Sequence, residues 1–555
     1  MRSPLDQGRP AAPRARPARR AGPALALLLA AACGGPVPRD DGPELSANVQ
    51  IVEGADRRAS DEVVPRASSV FDGHRLRLRA ARGETVSFTV WQRGAGAVRV
   101  QLAEPQISVT GYEVEWATVT RPSTGMYGGS RGAARYPDGL RASAAPGGAA
   151  VYFELAVGAD AAPGRHAGVL QTSHGAFEVE LVVVDVQLPE LGARPLVWAY
   201  YDPRELAWQH GVPVGAALGA FDPFELERRC AAMFRAHGVL ATPELTPAEW
   251  PRRKPLLAGA RYVPVLLPAG PDGPDGPDRA GAGAAALAQA AQFWEQALAD
   301  DDQLAFAIPI DEPRQLARKR QVRELADRLA AARLATGTRR LLLAVTDTPH
   351  PIYGDAVDVF ISPLAISRPR AAAPASRAQR WTYNGHPPYA GSMVLDAGNA
   401  DLRSWGWIAW RWDVPLWYVW DALYWHDRHN ARRRGLPRPG RAMTADDAVT
   451  FDDGEDQGNR DGVLALPGPP ELPCRPTLRL KALRQGLQDR LLLQAASCSP
   501  GSRERAARLA GRLVPFALGD AASRAATPRV SAAQWSAARG ELLELAAACA
   551  GAARP

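Results

Sequence analysis

The sequence predicts a multidomain protein with an N-terminal antiparallel β-sandwich, a TIM-like (β/α)8 barrel and a C-terminal helical appendage. Three observations support this fold class. The chain has 555 residues, which is too long for one ordinary domain. Residues 48–190 contain short segments in which apolar and polar side chains alternate. Residues 191–498 alternate apolar strands with helical stretches, which is typical of a parallel sheet.

The first 33 residues have the features of an export signal. Several arginines precede the apolar run at residues 24–32, which is too short to span a bilayer, and Cys33 follows it. The ending Ala-Ala-Ala-Cys-Gly-Gly resembles the lipobox of bacterial lipoproteins, in which the cysteine is acylated and becomes the new N-terminus. We therefore expect a cell-envelope lipoprotein, periplasmic or at the cell surface, held in the membrane through Cys33. An ordinary secretory signal is the alternative, and either one exports the protein. Residues 34–47 are polar and rich in Pro and Gly, as in a linker.

Charge argues against a nucleic-acid partner. The formal net charge is +7, but residues 1–32 carry six arginines and one aspartate and so hold most of it. The remaining chain is close to neutral and lacks the strongly basic surface that nucleic-acid binding requires.

The cysteines of the body predict no metal cluster. Cys230, Cys474, Cys498 and Cys549 are widely spaced and form no C-x-x-C motif. No cofactor is expected either. Cys474 and Cys498 could pair in an oxidising compartment.

The sandwich is predicted from alternating segments separated by Gly, Pro, Asp and Asn. These segments are residues 76–79, 85–90, 98–102, 151–155 and 177–184. Long helical periodicity is absent between them, which favours an antiparallel sandwich.

The barrel is predicted from eight short apolar runs, several of which are followed by helical stretches. The strand candidates are residues 196–200, 239–241, 262–267, 306–310, 341–345, 357–361, 380–383 and 416–419. The clearest helices are expected at residues 224–237, 284–299 and 315–336. The Gly-Pro-Asp repeat at residues 270–278 follows the third strand, either as a mobile loop over the catalytic face or as a bare linker.

Asp311 and Glu312 are the central candidate residues. They follow the apolar run at residues 306–310 directly, and Pro313 ends that run. Acids at the carboxyl end of a buried parallel strand lie where α/β barrels carry their chemistry. Two adjacent carboxylates repel each other, which tends to raise the pKa of one of them and suits a proton donor. The alternative is a helix N-terminus, where acids favour the macrodipole.

Aromatic and amide residues follow other predicted strands. Tyr383 and Asn384 end the seventh strand, and Trp420 and Asp421 end the eighth. Aromatic faces stack on sugar rings, while carboxylates and amides hydrogen-bond their hydroxyls. Most tryptophans in this part of the chain are expected in the core, including a helix that carries Trp405, Trp407 and Trp410. The candidate substrate-binding residues are Asn384, Trp420, Asp421, Trp425 and Tyr201.

Several motifs occur in an order that resembles a known family. They are Tyr136-Pro137-Asp138, residues 160–168, Asp311-Glu312-Pro313, Trp381-Thr382-Tyr383, residues 405–410, residues 461–468 and residues 478–489. This order resembles the secreted glycoside-hydrolase-like proteins that carry domain of unknown function 4091, relatives of glycoside hydrolase family 123. The resemblance covers residues 50–500.

The resemblance implies a β-sandwich followed by a TIM-like barrel, and substrate-assisted hydrolysis of 2-acetamido-sugar glycosides. In that mechanism the acetamido oxygen of the sugar attacks its own anomeric carbon. Glu312 would be the acid/base, Asp311 would orient and polarise the acetamide, and Tyr383 would hydrogen-bond it. This is an exception to the rule of two separated carboxylates, and it allows the two acids to be adjacent.

Two further regions carry weaker signals. The acid-rich loop at residues 452–462 has oxygen ligands, but their spacing does not fit an EF-hand, which favours a solvated turn over a calcium site. Residues 499–555 form the predicted C-terminal helical region, with helical periodicity at residues 503–514 and 533–548.

Three functions fit these patterns. The leading one is an exported glycoside hydrolase acting on a glycan or glycoconjugate. The others are a surface-anchored carbohydrate-binding protein without activity and a structural envelope protein whose tryptophans are all core. An open site that brings Asp311, Glu312 and Tyr383 together would separate the first from the third.

Overall fold

The computed structural model describes residues 48–213, 219, 221–268, 280–299, 301–336, 339–367, 377–398, 401–426, 443–452, 454–521 and 530–552. The predicted signal with Cys33, the linker at residues 34–47 and the repeat at residues 270–278 lie outside the described residues. Within the described part, no helix is both long and apolar enough to cross a membrane.

Two sheets share a core in the N-terminal part. The strands are β1 (Val49–Glu53), β2 (Arg75–Arg82), β3 (Thr85–Gln92), β4 (Arg99–Leu102), β5 (Ile107–Val119), β6 (Ala134–Ala142), β7 (Ala150–Val157), β8 (Gly164–Thr172) and β9 (Gly175–Gln187). One sheet has the order β1-β3-β7-β5-β6 and the other β2-β9-β8-β4. Alternation explains the packing: Leu76 and Leu78 of β2 point inward to the core that also holds Phe88 and Phe153.

The expectation of a purely antiparallel sandwich needs a correction. Strands β2 and β9 run parallel, while the other ladders of the two sheets are antiparallel. The chain leaves β2 for β3 in the opposite sheet, so β2 has no hairpin partner beside it. The long strand β9 fills that position and runs in the same direction.

The middle of the chain forms one all-parallel sheet of eight strands. They are β10 (Val197–Ala199), β11 (Val239–Ala241), β12 (Tyr262–Pro264), β13 (Leu304–Ala307), β14 (Leu341–Val345), β15 (Val359–Ile361), β16 (Gln379–Tyr383) and β17 (Trp417–Val419). Each strand overlaps one of the eight apolar runs. Apolar residues fill both faces of this sheet, as expected for parallel strands.

The predicted (β/α)8 barrel is nevertheless wrong. The strand order is β11-β10-β17-β16-β15-β14-β13-β12, and the described residues link the two end strands only through an isolated bridge between Leu245 and Val265. The sheet is therefore a half-barrel. In addition, an α-helix does not follow every strand. The segment between β14 and β15 holds only the 3-10 turn Pro351–Tyr353, because Pro349 and Pro351 oppose a helix there.

The helices of the described part differ widely in length. They are α1 (Arg204–Gln209), α2 (Phe224–Arg235), α3 (Trp250–Arg253), α4 (Ala280–Ala297), α5 (Leu316–Thr336), α6 (Ser404–Arg411), α7 (Leu478–Ala495), α8 (Pro500–Leu513) and α9 (Ala532–Ala552). Helices α6 and α7 cross closely through glycines. A Cβ on Gly406 would lie 1.8 Å from the carbonyl oxygen of Gly486. Only glycine permits this approach.

The C-terminal helices are part of the core and do not form an appendage. Trp535 of α9 packs against Trp407 with ring centroids 5.5 Å apart. Arg539 of α9 donates a 2.5 Å hydrogen bond to Glu84 of the loop between β2 and β3. Helix α9 thus joins the N-terminal sheets to the rest of the molecule.

The acid-rich loop at residues 452–462 lies in a pair of short hairpins. These strands are β18 (Val449–Asp452), β19 (Gln457–Asn459), β20 (Ala465–Pro467) and β21 (Cys474–Pro476). Asp452, Asn459 and Asp461 are buried, so the expectation of a solvated turn is wrong for these residues. Among the described residues, no group of three or more His, Cys, Asp or Glu is placed to hold a metal ion.

Two disulfides staple distant segments. Cys230 of α2 pairs with Cys474 of β21, and Cys498 pairs with Cys549 of α9. The suggested pairing of Cys474 with Cys498 is therefore wrong. In the folded chain Cys474 lies next to Cys230 and Cys498 next to Cys549, although both partners are farther away in sequence than Cys474 and Cys498 are from each other.

Candidate active site

Asp311 and Glu312 lie just past the carboxyl end of β13, on a loop that precedes α5. Both side chains are exposed. Helix α5 begins only at Leu316, so the two acids do not form its first turn. Glu312 has a positive φ of 39°, which turns the chain sharply between the two carboxylates. The loop therefore presents both acids at the edge where the strands end.

A neighbouring strand end fixes this acidic pair. Thr346 directly follows β14, which pairs with β13. Its hydroxyl donates a 2.6 Å hydrogen bond to Asp311 Oδ1 and accepts one of 2.6 Å from the backbone N–H of Glu312. One hydroxyl thus sets the orientation of one acid and the backbone of the other. Sequence reasoning missed Thr346, although a polar residue directly after a buried strand was a usable signal.

Tyr383 reaches the same acids from the end of β16. Its hydroxyl donates a 3.1 Å hydrogen bond to Glu312 Oε1. Burial raises the pKa of Tyr383, and the nearby charges of Glu312 and Asp311 raise it further. The phenol therefore stays protonated and remains a hydrogen-bond donor throughout the neutral range.

The second carboxylate oxygen of Glu312 contacts Arg314. Arg314 Nη2 lies 2.5 Å from Glu312 Oε2, and 79% of the arginine side chain is exposed. An exposed ion pair of this kind contributes little to stability, about 0–1 kcal/mol. A ligand at this position can displace the arginine at small cost.

Asn384 and Trp420 hold two strand ends together. Asn384 has a positive φ of 45°, and its side-chain Oδ1 accepts a 2.9 Å hydrogen bond from the backbone N–H of Trp420. Its own carbonyl accepts from Trp417 Nε1 at 2.8 Å. The Trp420 ring is partly exposed, with Phe451 at 5.8 Å and Tyr424 at 5.7 Å. The amide of Asn384 positions Trp420.

Three of the expected substrate-binding residues are buried. Asp421 is fully buried, and its Oδ1 accepts a hydrogen bond from the backbone of Leu423. Trp425 donates its indole N–H to the carbonyl of Ala465. Tyr201 lies in the core, where burial raises its pKa. These side chains support the site from within, and the described contacts do not join them to Glu312.

Sequence reasoning also missed an aromatic floor beneath the acids. The ring of Tyr418, on β17, stacks on Trp198 of β10 at 4.4 Å and lies 6.4 Å from the ring of Tyr383. Burial raises the pKa of Tyr418, and Glu244 and Asp311 add to the effect. The two rings face the same side because Trp198 and Tyr418 are register partners in the parallel β10–β17 ladder, which the sequence alone does not reveal.

Glu244 is a third carboxyl of this region and lies near Asp311. It follows β11 after a short Thr-Pro step, much as Asp311 follows β13. Burial raises its pKa to about 8, with a further contribution from Asp311. Its place in the sequence, directly after Pro243 at the end of a short apolar strand, was a usable signal that sequence reasoning missed.

Comparison with known proteins places this fold. No protein-family model matches the sequence, and no curated protein matches it. The structure is similar to a family 123 glycoside hydrolase from Clostridium perfringens that was studied for glycolipid glycan hydrolysis. The TM-score is 0.59 at 10% identity, over 91% of this chain and 98% of that one. A Faecalibacterium prausnitzii β-glucuronidase matches at 10% identity over 74% of this chain and 65% of that one, with a TM-score of only 0.29. The first of these two comparisons shows that the chain has a fold similar to that of the family 123 enzyme.

Proposed function

We propose that the protein is an exported glycoside hydrolase that cleaves 2-acetamido-sugar glycosides by substrate-assisted catalysis. The observation that carries this proposal is the convergence of Asp311, Glu312 and Tyr383 at the exposed edge of the parallel sheet. The three residues come from two different strand ends and are linked by hydrogen bonds. Such an arrangement has no evident role in packing, which argues against a purely structural protein.

The proposed roles of the acids are those that the resemblance to family 123 implies. Asp311, oriented by Thr346, accepts a hydrogen bond from the acetamide N–H of the sugar and so polarises the acetamide oxygen. That oxygen forms a bond to the anomeric carbon as the bond to the leaving oxygen breaks. Glu312 transfers its proton to the leaving oxygen. Water then adds to the anomeric carbon, gives its proton back to Glu312, and releases the sugar with its acetamide restored.

The adjacency of the two acids favours this mechanism over direct displacement. A classical retaining or inverting enzyme needs carboxyl groups on opposite sides of the scissile bond, about 5–9.5 Å apart. Asp311 and Glu312 are neighbours on one turn and present their carboxyl groups from the same edge of the parallel sheet. Substrate assistance needs no protein nucleophile, so the pair can act from that edge.

Substrate contacts are proposed from the exposed surroundings of the acids. The partly exposed ring of Trp420 is the candidate for stacking on a sugar face, and Asn384 holds it in place. Asp421, Trp425 and Tyr201 would contribute indirectly, by packing beneath these residues. Tyr383 would exchange its hydrogen bond to Glu312 for one to the acetamide when substrate binds.

Export and lipid anchoring through Cys33 belong to the same proposal. The two disulfides support export, because such bonds persist in oxidising compartments. A membrane-anchored hydrolase would act on glycans or glycoconjugates in the cell envelope or its surroundings.

The test is a pair of isosteric variants assayed on aryl 2-acetamido glycosides. Glu312→Gln removes the transferable proton and is expected to lower kcat by about 10²–10⁴-fold, with a smaller loss when the leaving group needs no protonation. Asp311→Asn removes charge next to the acetamide, so its defect is expected to persist with every leaving group.

Control substrates separate this mechanism from its rivals. Glycosides without the 2-acetamido group should not turn over. Rapid hydrolysis of a plain hexoside that Asp311→Asn abolishes would instead identify Asp311 as a nucleophile. Equal activity of the wild-type protein and Glu312→Gln on all substrates would leave a carbohydrate-binding protein as the better reading.

A further inference from the structure

We propose that Glu244 is a substrate-binding residue of this site, whose carboxyl hydrogen-bonds a hydroxyl of the sugar lying against Asp311. This inference rests on the proposed function and extends it by one residue. Glu244 would supply a hydrogen bond to the sugar ring that Asp311 and Glu312 do not make in the proposed mechanism.

The backbone around Glu244 is held rigidly. Trp198 donates its indole N–H to the carbonyl of Thr242 at 3.0 Å. Leu245, the next residue, donates to the carbonyl of Pro264 at 3.0 Å and accepts from the N–H of Leu266 at 2.9 Å. Hydrogen bonds on both sides of Glu244 thus fix where its side chain begins, as a preorganised binding residue requires.

The side chain lacks a protein partner in the part of the chain that is described. Its carboxyl forms no hydrogen bond and no ion pair with a described residue, and the residue is half-buried, so that solvent still reaches it. Two buried acids of this molecule, by contrast, bind cations: Glu227 binds Arg253, and Glu154 binds both Lys481 and Arg484. A carboxyl that solvent can reach and that has no protein partner is available to a ligand, and Glu244 stands at the same strand-end edge as Asp311.

The charged and titratable neighbours favour the neutral form. Asp311 approaches Glu244 from the end of β13, and Tyr418 approaches from β17. Tyr418 itself lies near Tyr200 and Asp421. None of these groups is a cation. Burial therefore raises the pKa of Glu244 to about 8, and the charge of Asp311 adds to this. At neutral pH the group retains its proton and acts as a donor, which an ionised carboxylate cannot do.

Ionisation of Glu244 has a defined consequence. Above pH 8 the hydrogen-bond donor is lost and a second negative charge appears beside Asp311. Sugar affinity should then fall by up to about tenfold between pH 7 and pH 9, as expected for one group with a pKa of about 8. Glu244→Gln keeps a neutral donor at all pH values, so its affinity should stay level across this range.

The experiment measures binding of a free 2-acetamido-2-deoxyhexose to the purified protein from pH 6 to pH 9.5, by calorimetry, so that no turnover is needed. The wild-type protein, Glu244→Gln and Glu244→Ala are compared, with Glu324→Gln, an exposed acid on α5, as the matched control. We expect an alkaline loss of affinity in the wild type and the control, constant affinity in Glu244→Gln, and at least threefold weaker binding at pH 7 in Glu244→Ala. Infrared difference spectra should show a protonated carboxyl band at pH 7 that is absent from Glu244→Gln.

Other results would contradict either the role of Glu244 alone or the proposed function as a whole. The same alkaline loss in Glu244→Gln as in the wild type, or no protonated carboxyl band, would overturn the role of Glu244 alone. Hydrolysis of aryl 2-acetamido glycosides would then still support the proposed function. Absence of sugar binding at every pH, together with absence of turnover, would overturn both.

Discussion

At the scale of single residues, the hydroxyl of Thr346 joins two strand ends. It donates to Asp311 and accepts from the backbone N–H of Glu312, both at 2.6 Å. A hydroxyl can do both at once because it carries one proton and two lone pairs. The relative placement of Asp311 and Glu312 therefore depends on Thr346, which lies outside the predicted strands at residues 306–310 and 341–345.

Replacing this hydroxyl should lower activity more than stability. Thr346→Val keeps the shape but leaves Asp311 without its donor and the Glu312 amide without its acceptor. Hydrogen bonds to charged groups contribute about 1.5–3 kcal/mol, so we expect kcat to fall by about 10–100-fold. Steady-state kinetics on an aryl 2-acetamido glycoside provide the measurement. Thr346→Ser is the control and should retain most activity, and full activity in Thr346→Val would contradict a positioning role.

Some residues of the candidate site could be predicted from the sequence, and others could not. Asp311 and Glu312 directly follow an apolar run and Tyr383 ends another, and the structure brings the three together. Glu244 and Thr346 also follow short apolar strands, but no adjacent second acid or matching motif marks them in the sequence. The burial of Trp425 depends on the later segment that covers it, which no local pattern reveals.

At the scale of elements, helix α7 carries charges into the interior. Arg479 makes paired hydrogen bonds of 2.9 Å to Asp138 of β6, while Lys481 and Arg484 bind Glu154 of β7. All five side chains are buried. The charged residues of this helix would ordinarily mark a solvated face, but here they dock the helix against the N-terminal sheets. Long cationic side chains reach acids of another element because the acids cannot be buried alone.

The Asp138 cluster should make folding stability fall in acid. Burial by itself raises the pKa of Asp138, but Arg479, Arg460 and Arg57 outweigh it and lower the pKa to about 2. The carboxylate thus stabilises the fold above its unfolded pKa of about 4, and this contribution, roughly 2 kcal/mol, is lost as pH falls toward 2.

Urea unfolding at pH 7 and pH 3 tests this. Asp138→Asn is expected to lose about 3–5 kcal/mol at pH 7, because three buried guanidinium groups lose their counter-charge. Its further loss between pH 7 and pH 3 should be smaller than that of the wild type. Asp222→Asn, which breaks an exposed ion pair with Arg252, is the control and should change stability by less than about 1 kcal/mol. Equal effects of the two variants would contradict the role of burial.

At the scale of the whole molecule, the N-terminal sheets contribute to the surroundings of the site. Tyr127, in the loop between β5 and β6, packs on Phe451 at 6.3 Å, and Phe451 packs on Trp420 at 5.8 Å. Thr124 of the same loop donates a 2.7 Å hydrogen bond to Asp456. The loop and the β18–β19 hairpin thus pack behind Trp420, so segments from both halves of the chain surround this candidate residue.

The whole chain is also expected to be held at a membrane through Cys33. In cells that process lipoproteins, the wild-type protein should be found with the membrane fraction, and Cys33→Ser should release it into the soluble fraction. Fractionation followed by immunoblotting measures this. A variant whose first 33 residues are replaced by a cleavable secretory signal is the control and should be soluble. An entirely soluble wild-type protein would contradict the lipid anchor.

The eight parallel strands and the acidic pair could be located from residue patterns, because burial on both faces and strand termination are local properties of the chain. The change from alternating strands to strand–helix units near Pro189 could be located in the same way. The half-barrel, the parallel pairing of β2 with β9 and the disulfide between Cys474 and Cys230 emerge only from the folded chain. It alone placed Glu244 and Thr346 beside Asp311. These features depend on which distant segments meet, and residue patterns within one segment carry no information about a partner that lies hundreds of residues away.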